Sequence, residues 1–217
     1  MIANRGEIAC RIARTVSSMG IQTVAVYSDI DEKSLHVTSC DQAVNIGNSP
    51  AAESYLNIES IIKAALDTDS DAIHPGYGFL SENASFAQAC SRAGIIFVGP
   101  SAANIESMGS KAVSKDLMTK AEIPIVPGYH GVEQGLEYLK LRADEIGYPV
   151  LIKASAGGGG RGMRLVGSEK NIEESIISAQ MEAKAAFSDD RLLIEKYIQK
   201  PRHVEVQIFG DNFGNVV

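Results

Sequence analysis

Tryptophan is absent from the 217 residues, and aromatic side chains make up only 6% of the chain. Cysteine is also scarce: the chain has three, Cys10, Cys40 and Cys90. They lie far apart and form no CxxC pair. An odd number of isolated thiols excludes a disulfide framework and favours a reducing compartment. No apolar run reaches the roughly 20 residues that a membrane-spanning helix needs, so the sequence predicts no membrane partner.

Basic residues are outnumbered, with Lys+Arg 20 against Asp+Glu 27 and a formal net charge of -7. No basic run or stripe offsets this balance, whereas a nucleic-acid surface typically needs one. The sequence therefore predicts no nucleic-acid partner. The hydrophobic content of 45% is ordinary for a globular protein, and the length allows one or two domains with their own cores.

Strand and helix patterns alternate through residues 1–100, which predicts a parallel sheet with helices on its faces. In such folds ligands bind at the carboxyl ends of the strands. The turn NRG at residues 4–6 and the turn HPGYG at residues 74–78 both fall at predicted strand ends. The strand patterns span residues 21–27, 43–46, 71–74 and 95–98, and the helical patterns span residues 7–19, 58–66 and 84–93.

A different pattern follows residue 100. The pattern of residues 101–124 predicts a connecting helix with an apolar stripe, which prolines end. Lys111 and Lys115 lie beside this stripe. Residues 125–197 predict a small α+β module. Its predicted elements are a strand near Ile125, helices over Leu136–Ile146 and Ile172–Phe187, a glycine-containing hairpin between these helices, and a strand over residues 192–197.

Residues 202–209 alternate between polar and apolar side chains, which predicts a further strand. His203, Glu205 and Gln207 would share one face of it. The first residues have the pattern of a strand that has already begun, and the last have the pattern of one that is starting. We therefore expect a fragment of a longer chain.

The segment LIKASAGGGGRGM, residues 151–163, contains a lysine at the end of an apolar strand, then glycines, then a second predicted strand from Met163. Glycine lets backbone N–H groups turn inward and lets a ligand approach the main chain, and lysine provides a point charge for phosphate. No Gly-Lys-Ser/Thr opens a helix, so this is not a Walker loop. The segment is either a phosphate-covering flap or a flexible surface hairpin.

Three other features each have a functional and a structural interpretation. Lys111 either contacts a phosphate or is a solvated helix lysine. Residues 193–198 form either a hinge whose main chain offers a C=O and an N–H to a planar base, or an edge strand. His203 and Glu205 either hold a ribose hydroxyl or face solvent. Two lysines, a glycine flap and a hinge are together the parts of a site that grips ATP between two sheets.

Five motifs together resemble the biotin carboxylase component of biotin-dependent carboxylases, in the ATP-grasp superfamily. They are NRGEIA at residues 4–9, HPGYGFLSEN at 74–83, the Lys153 glycine loop, EKY at 195–197 and PRHVEVQ at 201–207. The resemblance covers essentially the whole chain. It implies an α/β fold in four parts: a Rossmann-like, parallel-sheet pre-ATP-grasp domain (1–100), a connecting helix (101–124), an α+β ATP-grasp lid (125–197) and the start of the main ATP-grasp domain (198–217).

Within this family the chain is most similar to the α subunits of 3-methylcrotonyl-CoA carboxylases, judged on VPGYHG at residues 126–131 and on residues 203–211. Propionyl-CoA carboxylase is a near second. Acetyl-CoA carboxylase, pyruvate carboxylase and another ATP-grasp ligase are further alternatives. A non-enzymatic dinucleotide-binding module is disfavoured, because residues 4–7 are not its glycine fingerprint. The resemblance implies leucine degradation, in the mitochondrial matrix or in a bacterial cytoplasm.

The resemblance implies a ligase in which ATP phosphorylates bicarbonate to carboxyphosphate, and the ureido N1 of biotin captures the released CO2. Two lysines would contact ATP, two glycines would lie over its phosphates, residues 195–198 would form the adenine hinge, and a histidine would lie near the ribose. A closed lid would exclude water from carboxyphosphate. The implied ATP-binding residues are Lys111, Lys153, Gly159, Gly160, Glu195, Lys196, Tyr197, Ile198 and His203.

The resemblance also places the family's metal-binding glutamates, bicarbonate-binding groups and the arginine near biotin beyond Val217. We therefore expect no catalytic or metal-binding residue in these residues, and no activity from them alone. The implied cofactors are ATP, Mg²⁺ held by the missing part, and biotin as a substrate on a carrier domain. The implied partners are bicarbonate, that carrier domain and a carboxyltransferase β subunit, in an oligomer.

Overall fold

The computed structural model of the protein describes residues 1–109, 111–155, 163–211 and 213–217. These residues form two compact units, Met1–Ser114 and Lys115–Val217. Within the described ranges, every helix is too short or too polar to cross a membrane.

The first unit alternates helices and strands, as the sequence predicts. Its strands are short and its helices have one buried face each. The strands are β1 (Val24–Ser28), β2 (Gln42–Gly47), β3 (Ala72–Ile73) and β4 (Ile96–Phe97). The helices are α1 (Gly6–Ser18), α2 (Leu35–Thr38), α3 (Ile58–Asp67), α4 (Ala84–Arg92) and α5 (Ala102–Gly109).

The sheet of the first unit is parallel. Strand β1 pairs with β2, and β3 pairs with β4, both in parallel register. Ile2 forms isolated parallel bridges to Ala25 and to His74, so it lies between the two pairs. The resulting order is β2, β1, Ile2, β3, β4, and the predicted parallel α/β sheet is confirmed.

Local sequence explains where the helices of this unit begin and what they bury. The side chains of Asn57 and Asn83 accept hydrogen bonds from the backbone N–H groups of Ser60 and Phe86, which caps α3 and α4. Helix α1 buries Ile8 and Ile12 one turn apart, as an amphipathic helix on a sheet should.

The connection predicted as one helix over residues 101–124 is assigned as α5 and a further helix, α6 (Lys111–Lys120). Ser110 lies outside the described residues. Helix α6 ends before Pro124, which agrees with the loss of a backbone donor at proline. The boundary between the two compact units falls within α6, after Ser114.

The second unit is an antiparallel sheet with two helices. Its four strands lie in the order β5-β8-β6-β7, and every neighbouring pair is antiparallel. Both helix predictions, over Leu136–Ile146 and Ile172–Phe187, are confirmed. The elements in chain order are β5 (Gly128–Tyr129), α7 (Leu136–Ile146), β6 (Val150–Ala154), β7 (Arg164–Val166), α8 (Ile172–Phe187) and β8 (Leu192–Lys196).

Strand β6 shows how this sheet separates its two faces. Val150, Ile152 and Ala154 are buried and belong to the apolar cluster formed with α7 and α8. Leu151 and Lys153 alternate with them and are only half-buried. Because side chains alternate along a strand, Lys153 points away from the helices and remains accessible on the opposite face.

Two strand predictions are wrong. No strand forms at Ile125, and β5 begins instead at Gly128, since Pro124 and Pro127 have no N–H for a ladder. Residues 202–209 form no strand either, and Val204 and Val206 are 79% and 78% exposed. Alternation alone does not make a strand, which also needs a partner. Pairing is found only at the end of the segment in the described residues, where Phe209 exchanges two backbone hydrogen bonds with Val217, at 2.8 and 2.9 Å, beside an isolated bridge between Gly210 and Val216.

Candidate functional site

Lys153 and Glu195 lie on neighbouring strands of the second unit and form an ion pair. In the β6–β8 register, Leu151 pairs with Glu195 and Lys153 pairs with Leu193. Lys153 and Glu195 are therefore diagonal neighbours on one face of the sheet, within reach of long side chains. The Lys153 ammonium contacts Glu195 Oε2, and Glu195 is only 8% exposed. A lysine at the end of an apolar strand needs a partner for its charge, and Glu195 provides one.

A second lysine contacts the same carboxylate. The ammonium of Lys115, on α6, contacts Glu195 Oε1, the oxygen that Lys153 does not use. The side chains of Lys115 and Lys153 are 17% and 25% exposed. Sequence reasoning placed Lys115 only beside an apolar stripe and assigned it no role. Its contact with Glu195 depends on how α6 packs against the sheet, and no local sequence signal reports that.

The charge of this cluster is set by the two lysines. Burial by itself raises the pKa of Glu195, but hydrogen bonds and charge from Lys115 and Lys153 outweigh burial and hold it below its usual value. Glu195 is therefore ionised at neutral pH. Two ammonium groups and one carboxylate leave a net charge of about +1 on this face of the sheet.

The strand end after Glu195 has backbone groups that the ladder does not use fully. The N–H of Lys196 donates to Pro127 O at 2.8 Å, and the N–H of Tyr197 donates to Pro149 O at 3.0 Å. A proline has no N–H, so Pro127 cannot donate a hydrogen bond back to the Lys196 carbonyl, and Pro149 cannot donate one back to the Tyr197 carbonyl. The Lys196 ammonium instead donates to the carbonyls of Gly147 and Tyr148, at 2.8 and 3.0 Å. This side chain therefore ties the end of β8 to the residues just before β6.

His203 lies away from regular structure. It is 81% exposed, and its Nε2 lies 2.7 Å from Glu205 Oε1. The sequence predicted that both side chains share a strand face. The strand is absent, yet the two side chains do contact each other. The role of His203 near a ribose stays a prediction.

The remaining predicted residues are Lys111, Gly159, Gly160 and Ile198, and their roles stay predictions. Lys111 is the first residue of α6 and belongs to the first unit. Gly159 and Gly160 lie outside the described residues. Ile198 follows β8 and is half-exposed.

The two turns of the first unit are bound to each other. The Asn4 side chain donates from Nδ2 to the carbonyls of Pro75 and Tyr77, each at 2.8 Å. The Tyr77 hydroxyl donates to Glu7 Oε1 at 2.7 Å. The backbone N–H of Gly76 donates to His74 Nδ1 at 3.0 Å, and burial lowers the pKa of His74. These contacts give both motifs a structural role in joining the strand ends.

Arg5 is likewise engaged within the first unit. Its guanidinium is 2.9 Å from Asp31 Oδ2 and lies over the rings of Tyr55 and Phe79, at 5.1 and 5.6 Å from their centroids. The two rings are stacked on each other. An open groove of about 400 Å³ lies beside Arg5. Its polar side chains already hold one another, so the geometry indicates stabilisation of the turn.

Two family models together match nearly the whole chain. Residues 1–105 match "Biotin carboxylase, N-terminal domain", and residues 110–217 match "Carbamoyl-phosphate synthase L chain, ATP binding domain". The order of the two agrees with a parallel-sheet unit followed by an ATP-binding unit that contains Lys153 and Glu195.

The chain belongs to the biotin carboxylase family. It is 58% identical to the mitochondrial methylcrotonoyl-CoA carboxylase subunit alpha of Oryza sativa subsp. japonica, over 100% of this chain and 29% of that protein. It is 50% identical to the mitochondrial propionyl-CoA carboxylase alpha chain of Sus scrofa, over 100% of this chain and 30% of that protein. The chain thus spans less than a third of the length of those relatives.

Solved structures give the fold. A Campylobacter jejuni biotin carboxylase in complex with a β,γ-ATP ligand has a TM-score of 0.94 and 50% identity, covering 100% of this chain and 48% of that one. The biotin carboxylase domain of Hydrogenobacter thermophilus 2-oxoglutarate carboxylase, with MgADP, ADP and bicarbonate, has a TM-score of 0.93, 50% identity and the same coverage. The predicted α/β ATP-grasp fold is confirmed.

Proposed function

We propose that this chain forms part of the ATP site of a biotin carboxylase, in which ATP activates bicarbonate as carboxyphosphate and biotin accepts the CO2. The main structural support is the cluster in which Lys153 and Lys115 share the buried carboxylate of Glu195. A net positive charge on one face of the sheet, on the strand that precedes the glycine-rich segment in the sequence, suits a triphosphate. The relatives' domain order supports the same assignment.

Adenine would bind at the strand end of residues 195–198. A planar base needs one carbonyl acceptor and one N–H donor from the main chain. Because Pro127 cannot donate to the Lys196 carbonyl, that oxygen lacks its ladder donor and can accept a hydrogen bond from a ligand. The Lys196 ammonium fixes this segment through Gly147 and Tyr148, which preorganises the carbonyl. Ile198 would supply the donor.

The phosphates would be contacted by Lys153 and Lys111, with Gly159 and Gly160 over them and His203 near the ribose. Lys153 has the geometry for this role, because its side chain is 25% exposed and its present partner is a carboxylate that Lys115 also contacts. Lid closure over the site would exclude water and protect carboxyphosphate from hydrolysis.

The described residues contain no cluster of metal-binding side chains. In those ranges, no group of three or more His, Cys, Asp or Glu side chains is placed to hold a metal ion. We therefore assign no step to magnesium. We propose that its ligands, and the groups that bind bicarbonate and biotin, belong to residues outside these 217. These residues alone would then show no bicarbonate-dependent ATP hydrolysis, and robust turnover by them would refute this part.

We further propose that the acyl acceptor of the whole enzyme is 3-methylcrotonyl-CoA, with a role in leucine degradation. Relatives of that name are 54–58% identical to this chain, against 49–50% for the propionyl-CoA carboxylase chains, which is the alternative. A biotin carrier domain and a carboxyltransferase β subunit would be the partners, in an oligomer. The mitochondrial matrix or a bacterial cytoplasm would be the compartment.

The first test is calorimetric titration of the protein with MgATP. We expect binding by the wild type, loss of binding in Lys153→Ala, and unchanged binding in Lys140→Ala. Lys140 is a matched control, because it is also ion-paired, to Glu137 and Glu173, but lies on α7. Equal binding by the wild type and Lys153→Ala would contradict the phosphate role.

A second ATP-grasp activity, carbamoyl-phosphate synthesis, is favoured only by the description of the family model that matches residues 110–217. A chain extended to the length of the relatives separates the two. ATP hydrolysis that requires bicarbonate and rises with free biotin supports biotin carboxylation. Hydrolysis that responds to ammonia and not to biotin supports the alternative.

A further inference from the structure

We propose that Lys115 is a positioning residue for nucleotide binding: it holds Glu195 so that Lys153 can exchange that carboxylate for a phosphate of ATP. This inference rests on the proposed function, since it assumes that Lys153 contacts phosphate. Lys115 itself need not touch the nucleotide. Its role follows from the geometry of one carboxylate and two lysines.

Each oxygen of Glu195 has its own lysine. Oε1 contacts Lys115, from a helix, and Oε2 contacts Lys153, from the neighbouring strand. Of the two lysine side chains, Lys153 is the more exposed, at 25% against 17% for Lys115. The lysine that is free to leave is therefore Lys153, and the one that remains is Lys115.

Glu195 is too buried to lose both partners. At 8% exposure, a carboxylate without a cation nearby is strongly disfavoured. If Glu195 had Lys153 alone, then moving Lys153 to a phosphate would leave a buried, unpaired charge. With Lys115 in place, Glu195 stays paired after Lys153 moves, so ATP binding does not incur that penalty.

The neighbouring charges leave this arrangement intact. Asp116, next to Lys115 in the chain, does not compete for it, because Asp116 Oδ1 lies 3.0 Å from His130 Nε2. The register partners of Glu195 in the sheet are Gly128 on β5, where a Cβ would lie 3.2 Å from Glu195 Cγ, and Leu151 on β6. Neither partner has an ionisable side chain. Removal of Lys115 would therefore lower the charge of the cluster from about +1 to about zero.

The experiment compares MgATP and adenosine binding in Lys115→Met, Lys115→Arg and the control Lys140→Met. We expect Lys115→Met to bind MgATP about tenfold more weakly, within the range for residues that share one ion-pair network, and to bind adenosine as the wild type does. Lys115→Arg keeps the charge and should remain within about twofold of the wild type. Lys140→Met should change neither affinity.

A double-mutant cycle shows whether Lys115 acts through Glu195. In a Glu195→Gln background, Lys115→Met should change MgATP affinity by less than about twofold, because no buried carboxylate then needs a partner. An equal loss in both backgrounds overturns the inference. So does a loss of adenosine binding in Lys115→Met, which would mark a structural role, or wild-type affinity for MgATP in that variant.

The outcomes for the proposed function are distinct from these. If the wild type binds no MgATP, or if Lys153→Ala binds as well as the wild type, the proposed function fails and this inference fails with it. If Lys153→Ala loses binding while Lys115→Met does not, only the inference fails. Circular dichroism of each variant checks folding, and Lys115→Gln replaces Lys115→Met if the latter is unfolded.

Discussion

The hydroxyl of Tyr55 donates a 2.8 Å hydrogen bond to Asp31 Oδ2, inside the first unit. The same hydroxyl accepts a 3.1 Å hydrogen bond from the backbone N–H of Ser28. Arg5 and the Ser28 hydroxyl also donate to Asp31 Oδ2, each at 2.9 Å. Burial, with the Asp31 carboxylate adding to it, raises the pKa of Tyr55 to about 12. The phenol therefore holds together a turn and a strand only while it is protonated.

Tyr55→Phe should lower the free energy of unfolding by about 1 kcal/mol at neutral pH, because Asp31 and the Ser28 amide each lose a partner. The variant should also lose less stability than the wild type as pH rises above 10. A folded pKa near 12, above an unfolded value near 10, means that the native state holds the proton longer. Wild-type stability should thus fall as pH rises from 10 to 12. Urea unfolding at pH 8 and pH 11 measures both effects, and an equal decline in both proteins would contradict them.

Gly76→Ala should destabilise the protein through the contact that joins the two turns. Gly76 has φ +65°, and an added Cβ would lie 2.7 Å from Asn4 Nδ2, the atom that donates to Pro75 and Tyr77. We expect a loss of about 2–3 kcal/mol, from the backbone strain and the displaced amide together.

Gly78→Ala is the matched control for that prediction. Gly78 has φ +67° and no atom within 4 Å of its added Cβ, so it measures the backbone strain alone, about 1 kcal/mol. Urea unfolding of both variants gives the difference. Equal losses would mean that the Asn4 contact contributes nothing to stability.

Much of the fold was predictable, because local signals agree with the tertiary structure. Helices over Leu136–Ile146 and Ile172–Phe187 follow periodic apolar patterns, and strand–helix alternation correctly indicated the parallel sheet. The failure at residues 202–209 has a physical cause. An alternating pattern predicts which side chains could share a face of a strand. Whether the strand forms depends on a neighbouring strand from elsewhere in the chain, which the local pattern does not reveal.

The site was predictable in part for the same reason. The position of Lys153 at the end of an apolar strand, before a run of glycines, can be read from the local sequence alone. Its partner Glu195 follows only from the β6–β8 register, which sequence does not give. The contact between Lys115 and Glu195 depends on how helix α6 packs against the sheet. No local sequence pattern predicts that packing.

In the variant Glu195→Gln, the free energy of unfolding should change less than in the wild type as pH falls from 7 to 3. The carboxylate has a lowered pKa in the folded state, because its two lysines outweigh burial. Its contribution is therefore present above the unfolded pKa, near 4.3, and is lost as pH falls through the folded value. We expect the variant to be about 1–3 kcal/mol less stable at pH 7, and the difference to shrink below pH 4.

Glu173→Gln is the control, since Glu173 pairs with Lys140 on the surface and its side chain is 57% exposed. It should change stability little, because exposed pairs are screened by solvent. Urea unfolding from pH 7 to pH 3 measures both variants. A constant gap between wild type and Glu195→Gln over this range would show that Glu195 does not titrate as its contacts require.

Gln134→Glu should weaken the start of β8. The Gln134 side chain accepts a hydrogen bond from Leu192 N–H at 2.8 Å and donates to the carbonyls of Gly131 and Leu192, at 2.9 and 3.3 Å. Glutamate keeps the size but replaces the donor by an ionised oxygen that faces two carbonyls. We expect a loss of about 1–3 kcal/mol at pH 7 and faster hydrogen exchange at the Leu192 amide.

The pH dependence of Gln134→Glu separates this cause from a change in packing. The two carbonyls disfavour the ionised form, so the folded pKa of the new carboxyl should lie above its unfolded value, near 4.3. Protonation restores a donor, and the loss should therefore diminish as pH falls towards 4. Gln180→Glu, which removes a single 3.2 Å hydrogen bond to the Gln134 carbonyl, should cost less at pH 7. If the loss in Gln134→Glu is the same at pH 7 and pH 4, packing explains it and the donor does not.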